Sequence, residues 1–172
     1  MTPVLKLSSQ SIIFGNSSPS ETITVESNYP WKISCDQSWI KFSPSTGDGN
    51  VVVNISGDSN LGEVERNANL IFTIGKEGSK SFLRKVVKIT QSFPQLTIAT
   101  DYINFEKSIS SQSFAITSNT NWTIQIPSSI TWLSVDKTTG SGNSQAIFSV
   151  TENSGGDRSA DVTIAYADKS TI

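Results

Sequence analysis

Trp31 and Trp122 stand ninety-one residues apart at the head of two matching stretches, and this internal repeat constrains the fold more than any other feature. Residues 27–50 read SNYPWKISCDQSWIKFSPSTGDGN, and residues 118–143 read SNTNWTIQIPSSITWLSVDKTTGSGN. Phe14 and Phe105 share the same offset. After a two-residue insertion Trp39 matches Trp132, and Gly47, Gly49 and Asn50 match Gly140, Gly142 and Asn143. Arg66 and Ala68 align with Arg158 and Ala160, and residues 4–14 (VLKLSSQSIIF) with 95–105 (QLTIATDYINF). So many paired positions in order set two modules, 1–93 and 95–172, with a boundary near Pro94. A linker of about two residues predicts a stiff junction.

Inside each module the apolar period is two, as a half-buried strand requires. Ile23 and Val25 alternate with polar residues, as do Phe114 and Ile116. Trp31, Ile33 and Cys35 share a strand face, and so do Trp122, Ile124 and Ile126. Further strands are expected at Val51–Val53–Ile55, at Leu70–Phe72–Ile74 and at Val162–Ile164–Tyr166. Turn signals punctuate them, among them Gly15-Asn16, Thr46-Gly47-Asp48-Gly49 and Gly140-Ser141-Gly142-Asn143. No stretch repeats apolar residues at helical spacing. Six or seven short strands per module, with a buried tryptophan on an early central strand, predict an all-β chain of two tandem immunoglobulin-like β-sandwich domains. The paired cysteines of antibody domains are absent.

The second copy reads as incomplete. The first continues through a Gly/Lys/Ser loop into Lys85-Val86-Val87-Lys88-Ile89-Thr90-Gln91, whereas the second reaches Asp168-Lys169-Ser170-Thr171-Ile172, where that strand is expected to start. An edge left without its strand invites pairing with another chain, and the module is expected to be the less stable of the two. The start at Met1-Thr2-Pro3, directly before a strand, fits the mature segment of a secreted protein.

Charge and reactive groups narrow the function. With 13 basic and 15 acidic side chains, split 9 to 8 in the first module and 4 to 7 in the second, the chain has no basic face for nucleic acid. No apolar run reaches the length of a membrane span. The chain has no histidine, and its single cysteine, Cys35, reads as a small core residue. No pair of carboxylates recurs in both modules, as a glycosidase-like dyad would. An enzyme is not expected, nor a cofactor.

The elements Asn28, Trp31, Ile33, Trp39, Gly47, Gly49, Asn50, Arg66, Ala68 and Ile89-Thr90-Gln91 together resemble the BACON domain (Bacteroidetes-associated carbohydrate-binding often N-terminal). The second copy repeats them as Asn119, Trp122, Ile124, Trp132, Gly140, Gly142, Asn143, Arg158 and Ala160, without the Ile-Thr-Gln element. The resemblance implies a β-sandwich module of secreted, periplasmic or cell-surface Bacteroidetes proteins, outer-membrane lipoproteins included. Such modules adjoin hydrolase or protease domains, and the family name implies carbohydrate or mucin binding. Three roles follow as expectations: a non-catalytic spacer, a glycan-binding module, or a protein-interaction module working through sheet edges.

Trp31 and Trp122 are in phase with aliphatic residues and read as core. Trp39 and Trp132 are the candidate glycan platforms. Each precedes a run in which the alternate residues are apolar, Ile40 and Phe42 in one copy and Leu133 and Val135 in the other. That parity turns both tryptophans outward, where an indole can stack on a sugar ring or close the open end of the sandwich. The Gly-rich loops at 45–50 and 138–143 read as turns, since only the first offers a carboxylate, Asp48, to a calcium ion. Arg66 and Arg158, each just before a strand, read as loop anchors binding backbone carbonyls or a carboxylate.

Overall fold

The computed structural model describes residues 2–167 and the backbone of 169–171. It divides into two compact units, Met1–Phe93 and Pro94–Ile172, and each is a two-sheet β-sandwich. The chain is all-β, with two tandem immunoglobulin-like domains.

The first module contains β1 (Leu5–Leu7), β2 (Ser11–Phe14), β3 (Ser20–Ser27), β4 (Trp31–Cys35), β5 (Ile40–Ser43), β6 (Thr46–Gly47), β7 (Val51–Gly57), β8 (Arg66–Ile74) and β9 (Leu83–Gln91). One sheet has the order β1-β3-β7-β5 and the other β2-β9-β8-β4-β6. The period-two pattern places one face of each strand in the core: Ile23 and Val25 from β3, Val53 and Ile55 from β7, and Leu70, Phe72 and Ile74 from β8 are all buried. Val87, Ile89 and Gln91 of β9 follow the same parity and are fully enclosed. A one-residue slip would turn any of these sets to solvent, so the alternation also fixes the register.

The second module contains β10 (Leu96–Ile98), β11 (Ser110–Ser118), β12 (Asn121–Gln125), β13 (Leu133–Val135), β14 (Thr139–Ser141), β15 (Ser144–Val150), β16 (Thr163–Tyr166) and β17 (Lys169–Thr171). Its sheets run β10-β11-β15-β13 and β14-β12-β16-β17. Phe114, Ile116, Trp122, Ile124, Ala146, Phe148 and Ile164 form its core, where Phe114 and Phe148 meet edge to face with ring centroids 5.7 Å apart.

Two expectations need correction, at Val162 and at Cys35. Tyr102–Phe105, which the repeat aligns with β2, forms no strand. The expected strand beginning at Val162 starts one residue later, at Thr163, and runs four residues where β8 runs nine. Both changes have one cause. In the first module β2 and the N-terminal half of β8 obtain their ladder hydrogen bonds from β9. Among the described residues, the equivalent strand of the second module is β17 alone, which pairs only with Ile164–Tyr166. Backbone without a ladder partner has no reason to stay extended and regular. The expected end of the chain at Asp168 to Ile172 is described only in part, since Asp168 and Ile172 lie outside the described residues. Cys35, expected in the core, is half-buried at its margin.

Candidate functional site

The repeated motif is a structural device built twice. Trp31 is buried, and its Nε1 donates to the Gly49 carbonyl at 3.1 Å; Trp122 is buried, and its Nε1 donates to the Gly142 carbonyl at 3.0 Å. Each indole packs against the first glycine of the loop. A Cβ on Gly47 would sit 2.3 Å from Cζ2 of Trp31, and one on Gly140 2.1 Å from Cζ2 of Trp122. The second glycine adopts the left-handed region, φ +71° at Gly49 and +64° at Gly142, which aims its carbonyl at the indole. The asparagine then closes the loop onto the neighbouring strand. Asn50 Oδ1 accepts from the Ser27 N–H at 3.1 Å, and Asn143 Oδ1 from the Ser118 N–H at 2.9 Å. Upstream, Asn28 and Asn119 take the backbone N–H of Val4 and Gln95 in the same way. These glycines and asparagines therefore serve the fold.

The candidate platforms have equally specific surroundings. Trp39 is half-buried, packs against the first core, and carries the Arg66 guanidinium over its ring, Cζ 4.2 Å from the centroid. Trp132 is half-buried with Arg158 over its ring at 4.4 Å. It is not among the described residues packed against the second core. Each arginine is fixed from its other side. Arg66 Nη2 donates to the carbonyls of Asp58 (2.6 Å) and Ser59 (3.1 Å), and Arg158 Nη2 to those of Thr151 and Glu152. The expected loop-anchoring role of Arg66 and Arg158 is thus present, together with a cation–π contact that links each to the tryptophan of its own module.

Trp39 precedes β5 and lies at the margin of the first core, where an indole closes the end of the sandwich. Within β5 the alternation holds, with Ile40 buried and Lys41 exposed in an ion pair with Asp58.

Two buried polar residues, Gln91 and Asn60, tie loops to the first module, and the sequence analysis assigned neither of them this role. Gln91 accepts from Arg66 Nε at 2.8 Å and donates to the carbonyls of Gly15 (3.0 Å) and Asp58 (3.1 Å). Asn60 donates to the carbonyls of Val64 and Ser92 and accepts from the Gly62 N–H. The signal for Gln91 was its parity with Val87 and Ile89. A polar side chain at a core position must have its hydrogen bonds met, and here they come from the β2–β3 and β7–β8 connections and from Arg66 of β8.

Two titrating groups are shifted. Partial burial raises the Cys35 thiol above its ordinary range. The Asp36 carboxyl is lowered because it accepts from the backbone N–H of Asn69 at 2.8 Å and from the Asn69 side chain at 2.7 Å.

Sequence comparison decides the family. The pattern of the BACON family, described as "Putative binding domain, N-terminal", matches residues 29–92 and 120–172, well over half of the chain. The chain belongs to the BACON family. None of the curated proteins compared with these two BACON modules matches them. Among solved structures the chain is similar to a Bacteroides ovatus GH5 xyloglucanase in complex with a XXXG heptasaccharide, at 24% identity over 61% of this chain, TM-score 0.46. The BACON pair spans only 22% of that chain. It is also similar to a Porphyromonas gingivalis protein of unknown function (10% identity, 95% of this chain and 93% of that one, TM-score 0.39). A third likeness is to the CsuC-CsuE chaperone–tip adhesion subunit complex of Acinetobacter baumannii pili (11% identity, 98% and 96% covered, TM-score 0.44).

Proposed function

We propose that the two BACON modules are a non-catalytic structural segment, a spacer inside a larger secreted or cell-surface protein. One observation carries this reading: the recurring aromatics are held by the fold itself. Trp31 and Trp122 are enclosed, and Trp39 and Trp132 each have a ring face taken by an arginine that is anchored on backbone carbonyls. A sugar platform instead presents a free indole face beside polar side chains. The junction fits the same role. Ser92 donates to the Phe14 carbonyl of the first module and Gln95 to Asn119 of the second, so each module holds its own side of the boundary.

A non-catalytic role agrees with the chemistry of the shifted groups. A thiol raised by burial is a poor nucleophile, and a carboxyl lowered by hydrogen bonds is a poor general acid at neutral pH. Placement outside the cytoplasm, next to other domains of a parent protein, rests on what the family resemblance implies.

Glycan binding is the second reading, and Trp132 favours it, being half-exposed without a seat on the core. A glycan array probed with the intact chain and with a Trp39→Ala/Trp132→Ala double variant separates the two. The spacer reading expects no retained glycan. Retention that disappears in a still-folded double variant overturns it in favour of a carbohydrate-binding pair.

A further inference from the structure

The loop that seats Trp31 contains Asp48-Gly49, and no other Asp or Asn of the chain is followed by glycine. The matching step of the second module is Ser141-Gly142, with a hydroxyl where the first module has a carboxyl. Asp48 is exposed, and its carboxyl makes no hydrogen bond or ion pair among the described residues. The backbone N–H that follows it is free as well. In the second module the Gly142 N–H donates to the Thr120 carbonyl at 3.1 Å, whereas the Gly49 N–H has no partner among the described residues. The surroundings are open too. Glycine has no side chain to shield its nitrogen, Gly49 sits at φ +71°, and even a Cβ there would meet nothing within 4 Å.

We propose that Asp48-Gly49 is a self-modification site, where the backbone isomerises to isoaspartate with water as the only co-reactant. The Gly49 nitrogen attacks Cγ of Asp48 and a C–N bond forms. The hydroxyl of the carboxyl group departs as water with the amide proton, leaving a five-membered succinimide. Water then adds back to the imide. Opening at the side-chain carbonyl restores aspartate. Opening at the main-chain carbonyl of Asp48 instead carries the chain through Cβ and Cγ and frees the α-carboxylate. Nothing is oxidised or reduced, the mass is unchanged, and the main chain is longer by one methylene.

The loop has no slack to take up that methylene. Gly47 packs against the Trp31 indole and stands opposite Trp31 in the β4–β6 ladder. Gly49 accepts from Trp31 Nε1 at 3.1 Å, and Asn50 next to it holds the Ser27 N–H. The modified link therefore lies between two glycines that are both fitted to the same indole. Lengthening it draws the Gly49 carbonyl off Nε1, and a buried donor without its acceptor weakens the core around it. The second module has Ser141 at this position and is exempt. Asp48 thus acts as a slow timer that loosens the seat of Trp31 and leaves that of Trp122 intact.

The test is to hold the full chain folded at pH 6 and 37 °C for weeks, digest samples with trypsin, and follow the peptide of residues 42–66. A second species of unchanged mass is expected, labelled by an isoaspartyl methyltransferase and placed at residue 48 by its fragments. Its rate of formation should lie within several-fold of that in a synthetic peptide of residues 44–54. Asp48→Ser, which copies the loop of the second module, should abolish it. As the isomer accumulates, the indole N–H resonance of Trp31 should shift while that of Trp122 stays in place. Conversion in the peptide but not in the folded chain would overturn the proposal, because the fold would then close the site. So would an isomer that leaves the Trp31 resonance unmoved, or a second species that persists in Asp48→Ser. The glycan array does not report on Asp48, so this proposal and the spacer reading stand or fall separately.

Discussion

Arg66 and Gln91 stand directly opposite each other in the β8–β9 ladder, and Nε of the arginine donates to Oε1 of the wholly buried glutamine at 2.8 Å. The same guanidinium covers Trp39 and binds two carbonyls of the β7–β8 connection. One side chain therefore ties together a strand pair, a loop and an aromatic at the margin of the core. Arg66→Ala leaves Gln91 with an unmet acceptor and removes the cation–π contact, at a cost of about 2–4 kcal/mol. Arg158→Ala is expected to cost less, about 1 kcal/mol, since none of the described residues plays the part of Gln91 beside Arg158 and its tryptophan is not seated on the core. Urea melts of both variants, followed by tryptophan fluorescence, check the order; equal losses would show that Gln91 contributes nothing through Arg66.

The loop glycines give a sharper test. Gly47→Ala and Gly140→Ala put a methyl group into the indole that each glycine faces. The tryptophan must leave its seat, and each substitution should cost about 3 kcal/mol, at the upper end for overpacking. Gly15→Ala is the control, as a Cβ there meets nothing within 4 Å. Thermal melts that find all three alike would disprove the packing account of the repeated Thr-Gly-x-Gly-Asn sequence.

Much of this was readable from the residues. Period-two alternation placed Ile23, Val25, Phe72, Ile74 and both early tryptophans inside, since a side chain's face along a strand follows from counting. Counting says least where the strand has not yet begun, as at Trp39, and where the described residues supply no neighbouring strand, as at Tyr102–Phe105. The stacking of Arg66 on Trp39 joins residues distant in sequence and leaves no periodic trace, although the recurrence of an Arg and a Trp in both copies was visible. Gln91 was the readable exception, because a glutamine in phase with Val87 and Ile89 marks a buried polar group needing partners.

Asp36 gives the first module a definite acid response. Its carboxylate is held by the Asn69 backbone and side chain, which lowers its pKa from 3.8. A lowered folded pKa contributes stability that is present above the unfolded value and disappears as pH falls through the folded one. Stability should therefore decline as pH drops below about 4, and Asp36→Asn should flatten part of that decline. Denaturant midpoints at pH 6 and pH 3 for both proteins measure it. Identical pH slopes would mean that the Asp36–Asn69 pair does not persist in solution.

Raised by burial, the Cys35 thiol has the opposite sign. Its neutral form is favoured in the folded state, so its contribution holds below the thiol's ordinary pKa and is lost as pH rises through the folded value. Alkylation by iodoacetamide at pH 8 should be several-fold slower than for the urea-unfolded chain, since the thiolate is the reacting form. Equal rates would place the thiol in open solvent.

The two modules should also differ in local stability within one molecule. Val87 and Ile89 are completely enclosed by β8, β2 and the facing sheet, and full burial of two such side chains contributes about 3–6 kcal/mol. The groove between Phe105 and Val162 has nothing of that kind among the described residues, and its walls remain half-exposed. Hydrogen exchange reads this directly, because each amide reports the cheapest opening that frees it. Amides of β8 and β9 should be the slowest in the chain. Those of β11 and β15, the best-paired strands of the second module, should exchange on the order of a hundredfold faster or more, in proportion to that difference. If β11 and β15 were protected as strongly as β8 and β9, the half-exposed walls of the second module would cost it no local stability.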